Sequence, residues 1–244
     1  MMGNSTLDLE DWNRNADVYV GGLPPSAGPV YQQFKEQLWA CLGNLQGLDV
    51  LDLGCGHGWL SQDMAQAGGR VGGVDGSAGL LRRARLAYPE LDFTEWDLNR
   101  GLPPTERRFD RIVANMVLMD IPELGPLLAG VSQRLKSKGR FIFTITHPCF
   151  FQQKSEQDPK TGQWYRKVTG YHQPEIWRID SFGGHNHYHR SLTYYFELLR
   201  ANHLAVTRFF EPVHLSNMEG PAGEFLRSIP VFLLIEARPF GIID

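Results

Sequence analysis

Hydrophobic and polar positions along this chain follow a period that changes from one segment to the next. From residue 48, short runs of strand-forming apolar residues alternate with longer stretches whose apolar residues lie three and four positions apart. This alternation continues to residue 148. Strands separated by helices join through right-handed crossovers into one parallel sheet, so the pattern predicts an α/β fold with helices on both faces.

The apolar runs and the glycines and prolines between them set the boundaries of these elements. Strands are predicted at 48–53, 70–74, 91–96, 109–114 and 140–146, and helices at 30–42, 59–67, 77–88 and 122–135. Ser77 is placed as the N-cap of the third of these helices. A helix at 191–202 and strands at 205–210 and 231–237 complete the predicted core. Residues 1–11 are predicted to be frayed, and residues 21–29 to break any helix.

Residues 149–190 interrupt the regular pattern. They are rich in aromatic, histidine, glycine and charged residues and carry no clear period. An ordered insertion of this length is usually functional. We therefore predict an N-terminal arm or lid at 1–29, a ligand-binding core at 30–148 and 191–244, and an inserted substrate-binding lid at 149–190.

The stretch V-L-D-L-G-C-G-H-G, from Val50 to Gly58, predicts a strand, a tight turn and the start of a helix. Glycines at such a turn let a ligand lie against bare backbone, and the free amide groups of the following helix attract an anionic group. A dinucleotide-binding fingerprint that opens at Gly54 requires glycine at position 59, where Trp59 stands. Asp52 would crowd a pyrophosphate, whereas it could balance a ligand with an ammonium and a sulfonium.

An acid-x-G-x-G-x-G motif is formed by Asp52, Gly54, Gly56 and Gly58. With this motif the chain resembles the class I S-adenosylmethionine (AdoMet) dependent methyltransferases, over about residues 30–148 and 191–238. The resemblance implies a seven-stranded Rossmann-like sheet in the order 3-2-1-4-5-7-6, with strand 7 antiparallel and an insertion after strand 5. It also implies AdoMet as cofactor and S-adenosylhomocysteine (AdoHcy) as product.

Polar residues stand at the ends of successive predicted strands, where open α/β sheets bind ligands. Asp75 is placed where a carboxylate can accept from both hydroxyls of a ribose, and the acid at this position does so in the resembling family. The family also implies that Asp97 and the amide of Leu98 contact adenine. The predicted cofactor-binding residues are Asp52, Gly54, Cys55, Gly56, Gly58, Asp75, Gly76, Ser77, Asp97, Leu98, Asn115 and Met116. Each aspartate taken singly could instead cap the next helix.

Trp12 and Tyr19 are large aromatic residues in an otherwise polar arm that cannot build a core alone. We predict that both fold over bound AdoMet and exclude water from it.

His147 ends the fifth predicted strand, and Pro148 holds it in an extended conformation. Methyl transfer from a sulfonium mainly requires alignment, and a base is needed only when the nucleophile arrives protonated. His147 is the candidate general base, and a histidine hydrogen-bonded to loop backbone is the alternative. Cys149 has no accompanying His and Asn motif that would make it a nucleophile.

The insertion holds the remaining candidates. Its aromatic residues could line a substrate pocket or form a small core of the insertion. The predicted substrate-binding residues are Phe150, Trp164, Tyr171, Trp177, His189 and Arg190. On a strand, His185, His187 and His189 would share one face and could bind zinc or a similar metal. With no acid or cysteine close in sequence, a polar lid or a helix entrance is the competing interpretation, and no metal is assigned.

Composition narrows the class of function. The formal net charge is −3 and no block of lysines and arginines occurs, so a nucleic-acid or membrane surface is not predicted. Three scattered cysteines and the lack of a leader-like apolar segment favour a reducing cytoplasm. A monomer or homodimer is expected.

The predicted function is transfer of a methyl group from AdoMet to an O or N atom of a small molecule. The alternatives are an RNA or quinone-type methyltransferase and a non-catalytic AdoMet-binding protein. A nucleotide-dependent oxidoreductase is disfavoured by Trp59. The identity of the acceptor does not follow from the fold.

Overall fold

The structure is a computed structural model that describes residues 5–22 and 28–241. Its helices are α1 (Ser5–Gly22), α2 (Pro29–Gln32), α3 (Lys35–Leu42), α4 (Trp59–Gln66), α5 (Ala78–Ala87), α6 (Gly125–Arg134), α7 (Leu192–Ala201) and α8 (Gly220–Arg227). Its strands are β1 (Asp49–Leu53), β2 (Arg70–Asp75), β3 (Asp92–Glu95), β4 (Phe109–Asn115), β5 (Leu135–Thr146), β6 (Ser155–Gln157), β7 (Trp164–Arg166), β8 (Glu175–Ile179), β9 (His185–His189), β10 (Leu204–Phe210) and β11 (Phe232–Pro239).

Seven strands form one sheet in the order β10-β11-β5-β4-β1-β2-β3. The strands from β1 to β5 are parallel, and β11 lies antiparallel between β5 and β10. The predicted α/β fold and the order 3-2-1-4-5-7-6 are confirmed, with β10 and β11 as the sixth and seventh strands of the sheet.

Buried layers cover both faces of the sheet because neighbouring residues on a strand point in opposite directions. Phe143 of β5 belongs to the buried cluster that contains Leu127 of α6. The preceding residue, Ile142, belongs to a second cluster with Leu38 of α3 and Met64 of α4. The sheet is therefore held rigid from both sides, which fixes the positions of the loops at its carboxyl edge.

Several element boundaries differ from the predictions. The single helix predicted at 30–42 is broken between α2 and α3, where Phe34 has a non-helical φ of −128° and is buried. The fifth strand begins at Leu135 rather than at residue 140. Helix α8 was not predicted, since G-P-A-G-E-F-L-R contains two glycines and a proline, which have low helix propensity.

The prediction that residues 1–11 are frayed is wrong for the described part of the arm, where α1 begins at Ser5. Asn13 Oδ1 accepts hydrogen bonds from Gly79 N at 3.0 Å and from Ser77 Oγ at 2.9 Å. Asp8 accepts hydrogen bonds from Asn186 and Tyr188 of the insertion. These partners are remote in sequence, so the local pattern did not reveal them. Residues 1–4 and 23–27 of the predicted arm lie outside the described residues.

The insertion contains two antiparallel hairpins, β6–β7 and β8–β9, where no period was predicted. Its strands are short, and their residues pair within the insertion rather than with the large sheet. None of the helices in the described parts of the chain is long and apolar enough to cross a membrane.

Candidate functional site

A cleft of about 710 Å³ lies at the carboxyl ends of β1, β2, β3 and β4. We call it the strand-end cleft. Its wall includes two residues of the glycine turn, Asp75, Asp97 and Asn115, together with residues of α1. Parallel strands bring their carboxyl ends to one edge of the sheet, so a set of residues spread over the first half of the chain converges there.

The glycine turn brings bare backbone to the cleft. Gly54 has φ +64°, and a Cβ on this residue would lie 2.3 Å from a methyl carbon of Val117. Its amide and that of Cys55 both donate to Val74 O, at 2.7 and 3.0 Å. The turn is therefore tied to the neighbouring strand β2, and no larger residue fits at Gly54 without displacing Val117.

Asp75 is held by backbone amides on both sides of its carboxylate. Gly56 N donates to Oδ2 and Ser77 N donates to Oδ1, each at 2.8 Å. Burial raises the pKa of Asp75, and these two hydrogen bonds act in the opposite direction. Because each carboxylate oxygen accepts more than one hydrogen bond, the fixed side chain keeps acceptor capacity for a ligand such as a ribose diol.

Two more strand ends complete the polar wall. Asp97 Oδ1 accepts from Asn99 N at 2.9 Å and caps a short 3₁₀ turn that begins at Leu98. Asn115 Oδ1 accepts from Thr144 Oγ1 at 2.8 Å, and Met116 has a positive φ of +56°. Asp97 therefore caps a turn and also lines the cleft, and its predicted contact with adenine stays a prediction.

Ten of the fourteen predicted cofactor-binding residues line the strand-end cleft. They are Trp12, Tyr19, Gly54, Gly56, Asp75, Gly76, Asp97, Leu98, Asn115 and Met116. The other four, Asp52, Cys55, Gly58 and Ser77, are buried behind it. The roles of all fourteen in binding stay predictions.

Asp52 is buried immediately behind the glycine turn. It accepts a hydrogen bond from Ser61 Oγ at 2.6 Å and is 1% exposed. Burial raises its pKa to about 7, the bond from Ser61 opposes that shift, and the charge of Asp75 adds to it. Its carboxylate is therefore placed to support the turn rather than to touch a ligand directly.

A second, larger cavity of about 1160 Å³ adjoins the cleft. We call it the apolar cavity, since aromatic and aliphatic side chains dominate its wall, among them Tyr31, Phe34, Trp59, Phe151 and Phe232. The two cavities share five wall residues: Trp12, Tyr19, Asn115, Met116 and Asp120. A ligand in one would therefore meet a ligand in the other at this shared wall.

Three polar side chains meet inside the apolar cavity: Asp120, His185 and His187. Nε2 of His187 lies 3.1 Å from Nε2 of His185 and 3.1 Å from Oδ1 of Asp120. Burial lowers the pKa of His185 to about 4 and that of His187 to about 3, so both rings are neutral near pH 7. Burial also raises the pKa of Asp120 well above its usual range. We call these three residues the Asp120 cluster.

Both ring nitrogens of His147 have a hydrogen-bond partner. Its Nε2 lies 2.8 Å from Oε1 of Glu211, and its Nδ1 accepts from Cys149 N at 3.1 Å. The ring does not line either cavity in the part of the chain that the structure describes. The predicted role of His147 as a base stays a prediction, and the geometry matches the alternative of a histidine bonded to its own loop.

None of the six predicted substrate-binding residues lines either of the two cavities, as far as residues 5–22 and 28–241 extend. Trp164 stacks on Phe225, and Phe150 packs on His147. His189 lies near Tyr171 O at 2.9 Å and stacks on Trp177. Arg190 donates to the backbone carbonyl groups of Leu118, Ile121 and Pro122. Their predicted contact with substrate finds no support in this geometry and stays a prediction.

Arg190 supports the site through the backbone that it contacts. Its hydrogen bonds hold the loop after β4, which carries Asp120. Sequence reasoning did not select Asp8 or Asp120, since neither follows a strand directly or belongs to a spaced motif. The alternation of the histidines was the one sequence signal for His185 and His187. It did not include Asp120, which lies 65 residues before His185 in the chain.

Residues 50–139 of the chain match the methyltransferase domain family. A ubiquinone biosynthesis O-methyltransferase from Alkalilimnicola ehrlichii is 32% identical over 108 residues, which are 43% of this chain and 44% of that protein. The chain spans about half the length of the curated relatives it matches.

Solved structures cover more of the chain. An S-adenosylmethionine dependent methyltransferase from Mesorhizobium loti is 25% identical with a TM-score of 0.70, covering 84% of this chain and 97% of that one. A candidate methyltransferase of the same kind from Listeria monocytogenes is also 25% identical, with a TM-score of 0.73, covering 88% of this chain and 100% of that one. Because these structures cover 84% and 88% of this chain, the similarity in fold extends well beyond residues 50–139.

Proposed function

We propose that this chain is a class I AdoMet-dependent methyltransferase that transfers the methyl group of AdoMet to an oxygen or nitrogen atom of a small molecule. The strand-end cleft is the cofactor site and the apolar cavity is the acceptor site. The observation that carries the proposal is the wall that the two cavities share, formed by Trp12, Tyr19, Asn115, Met116 and Asp120.

The donors and acceptors of the cleft suit AdoMet. The fixed carboxylate of Asp75 can accept from both ribose hydroxyls, and Asp97 with the amide of Leu98 can bind adenine. Asp8, Asp75 and Asp120 line the cleft besides Asp97. A ligand with positive charge would favour the ionised forms of Asp75 and Asp120, whose pKa values are raised by burial. AdoMet supplies a methyl group on a sulfonium that is already a good leaving group. The chain mainly has to hold the acceptor in line with it.

The acceptor site favours a small and largely apolar molecule. Its aromatic wall suits a ring, and the Asp120 cluster offers the polar contacts that would orient a hydroxyl or amine. A quinone-type acceptor is the second candidate, since one relative is named a ubiquinone biosynthesis O-methyltransferase and the cavity is apolar. An RNA acceptor is disfavoured by the net charge of −3.

Replacing Asp75 tests the cofactor site. We expect Asp75→Ala to weaken AdoMet binding by at least about tenfold, because charge-assisted hydrogen bonds contribute about 1.5 to 3 kcal/mol each. Isothermal titration with AdoMet and with AdoHcy measures the loss, and Asp92→Ala, which removes an exposed aspartate of β3, is the matched control. An unchanged affinity in Asp75→Ala would contradict the cofactor site.

Turnover is tested with the wild-type chain. AdoHcy release is measured with panels of hydroxylated aromatic compounds, of amines and of quinols, and with total RNA in parallel. We expect release with a small molecule and none above background with RNA. AdoMet binding without release from any panel would favour the non-catalytic alternative.

A further inference from the structure

The Asp120 cluster brings together three ligand-type atoms from two distant parts of the chain. Strand β9 alternates its side chains, so His185 and His187 point to the same face, toward the loop that carries Asp120. The nearest oxygen and nitrogen atoms of the three side chains all lie within 4.8 Å of one another. His189 continues the alternation, but its ring stacks on Trp177 and does not join the cluster.

Hydrogen bonding alone does not account for this arrangement. Nε2 of His187 has two neighbours at 3.1 Å, one nitrogen and one oxygen. A neutral imidazole nitrogen carries a single proton or a single lone pair, so a well-directed hydrogen bond to His185 leaves the contact with Asp120 without one. Oδ1 of Asp120 is buried, and it has no hydrogen-bond partner among the described residues. The close contact between His187 and Asp120 is therefore not accounted for by a hydrogen bond among the described residues.

The separations fit a common cation. With bonds of about 2.1 Å to nitrogen and oxygen, two ligands at right angles around a metal ion lie roughly 3 Å apart. Both separations in the structure are 3.1 Å. Two imidazoles and one carboxylate are also the ligand types that first-row divalent metals bind with open positions remaining.

The surroundings supply negative charge and hold the rings in place. Asp8 and Asp75 line the strand-end cleft together with Asp120, and among the described residues the one guanidinium beside them is that of Arg190, whose hydrogen bonds hold the loop of Asp120. His185 packs against Trp12 with ring centroids 4.6 Å apart, and His187 packs against Phe151 at 5.6 Å. The carboxylates thus outnumber the single guanidinium, and the two imidazoles are oriented before any ligand binds.

We propose that Asp120, His185 and His187 bind one divalent first-row transition-metal ion, and that a hydroxyl group of the methyl acceptor becomes a further ligand of that ion. The second half of this proposal rests on the proposed function, whereas the metal site does not depend on it. A hydroxylated acceptor is favoured over an amine, since a divalent ion lowers the pKa of a bound hydroxyl and holds the resulting anion.

The methyl-transfer step then balances as follows. The O–H bond of the acceptor breaks and its proton passes to water. An electron pair of that oxygen forms the new bond to the methyl carbon. The C–S bond breaks and its electron pair stays on sulfur, which leaves AdoHcy and a methyl ether. Asp120 lies on the wall that both cavities share, so the ion would hold the oxygen at the boundary with the cofactor site.

Cobalt binding tests the site without any acceptor. The full chain is treated with a chelator, dialysed and titrated with Co²⁺, and binding is followed by calorimetry and by the visible absorption of Co²⁺. We expect one Co²⁺ per chain in the wild type. His187→Ala and Asp120→Asn should each weaken binding about a hundredfold or more, since even indirect partners of a metal are worth 10- to 100-fold. His189→Ala, from the same alternating run, should bind Co²⁺ as the wild type does.

Other results of these titrations would contradict the metal site or the proposed function. No Co²⁺ binding by the wild type would overturn the site, as would an equal loss in His187→Ala and His189→Ala. If His187→Ala does not fold, His185→Gln tests the same ligand set with less change in volume. AdoMet is titrated into the same samples, and His187→Ala should keep its AdoMet affinity because His187 does not line the strand-end cleft. Failure of AdoMet to bind the wild type would refute the proposed function and leave the Co²⁺ result to stand alone.

Discussion

The strand-end cleft and the apolar cavity share a wall but are built in opposite ways. In the cleft, Asp75 and Asp97 each accept from a backbone amide two residues later, so local chain geometry fixes them. In the cavity, Asp120 meets His185 and His187 only because the insertion folds back over the sheet. Polar residues fixed by their own backbone can be positioned by the sheet edge alone, although α1 completes the cleft wall. A site assembled across the chain depends on the insertion and on the loop held by Arg190.

Gly54→Ala should have the largest effect and should separate the two regions, because the substitution alters the cleft and not the cavity. The left-handed backbone costs about 1 to 2 kcal/mol for a residue with a Cβ, and overlap with Val117 adds to this cost. We expect AdoMet affinity to fall about a hundredfold or more and the urea midpoint of unfolding to drop, with Co²⁺ binding retained. Gly72→Ala is the control, since its added Cβ meets nothing within 4 Å. Equal losses in both variants would mean that the turn at Gly54 has no special role.

Asp52→Asn tests the residue that supports the glycine turn from behind, separately from the residues that line the cleft. The folded-state pKa of Asp52 is raised to about 7, above the unfolded value, so folding favours the protonated form. The stability that this provides is fully present at low pH and is lost as the pH rises through 7. Between pH 5 and pH 8 the wild type should therefore lose about 2 to 3 kcal/mol that Asp52→Asn does not lose.

Urea unfolding at both pH values measures this difference, with Asp92→Asn as an exposed control. AdoMet affinity should change less in Asp52→Asn than in Asp75→Ala, since Asp52 does not line the cleft. An unaltered pH dependence in Asp52→Asn would show that another group is responsible.

Trp12→Ala should have the smallest effect of the three substitutions. It tests a residue that lines both regions. Trp12 lines both cavities, and its ring packs against Tyr19 and His185. We expect AdoMet and Co²⁺ each to bind about tenfold more weakly, since an aromatic contact contributes about 0.5 to 1.5 kcal/mol beyond its buried area. Val18→Ala, on the exposed side of the same helix, is the control. Loss of AdoMet affinity alone would assign Trp12 to the cleft only.

The contrast also explains what could be predicted from the sequence. The glycine turn and Asp75 are local signals, because a strand, its turn and the acid at the next strand end follow one another in the chain. Period changes likewise located the strands of the large sheet, apart from the early start of β5 at Leu135, but not the four short strands of the insertion. The helix over residues 5–22 was missed because its stabilising partners, such as Asn186 and Gly79, are far away in sequence.

The Asp120 cluster in the apolar cavity could not be predicted, because Asp120 is also far in sequence from the two histidines. His185 and His187 stood out by their alternation, but nothing near them in sequence marked Asp120 as their neighbour. The aromatic residues of the insertion could be counted but not oriented. Phe151 faces the cavity, whereas its neighbour Phe150 packs on His147, and a one-residue difference of this kind depends on the path of the loop.

Helix α1 has a kinetic consequence. It is fastened to the core through Asn13 and to the insertion through Asp8, and it lines both cavities through Trp12 and Tyr19. Movement of this one helix away from the core would expose AdoHcy and the methylated product together. Their release would then share the rate of that one opening step. A chain with a looser α1 would exchange both ligands faster and hold both less tightly, which makes residence time a property of the helix rather than of either pocket.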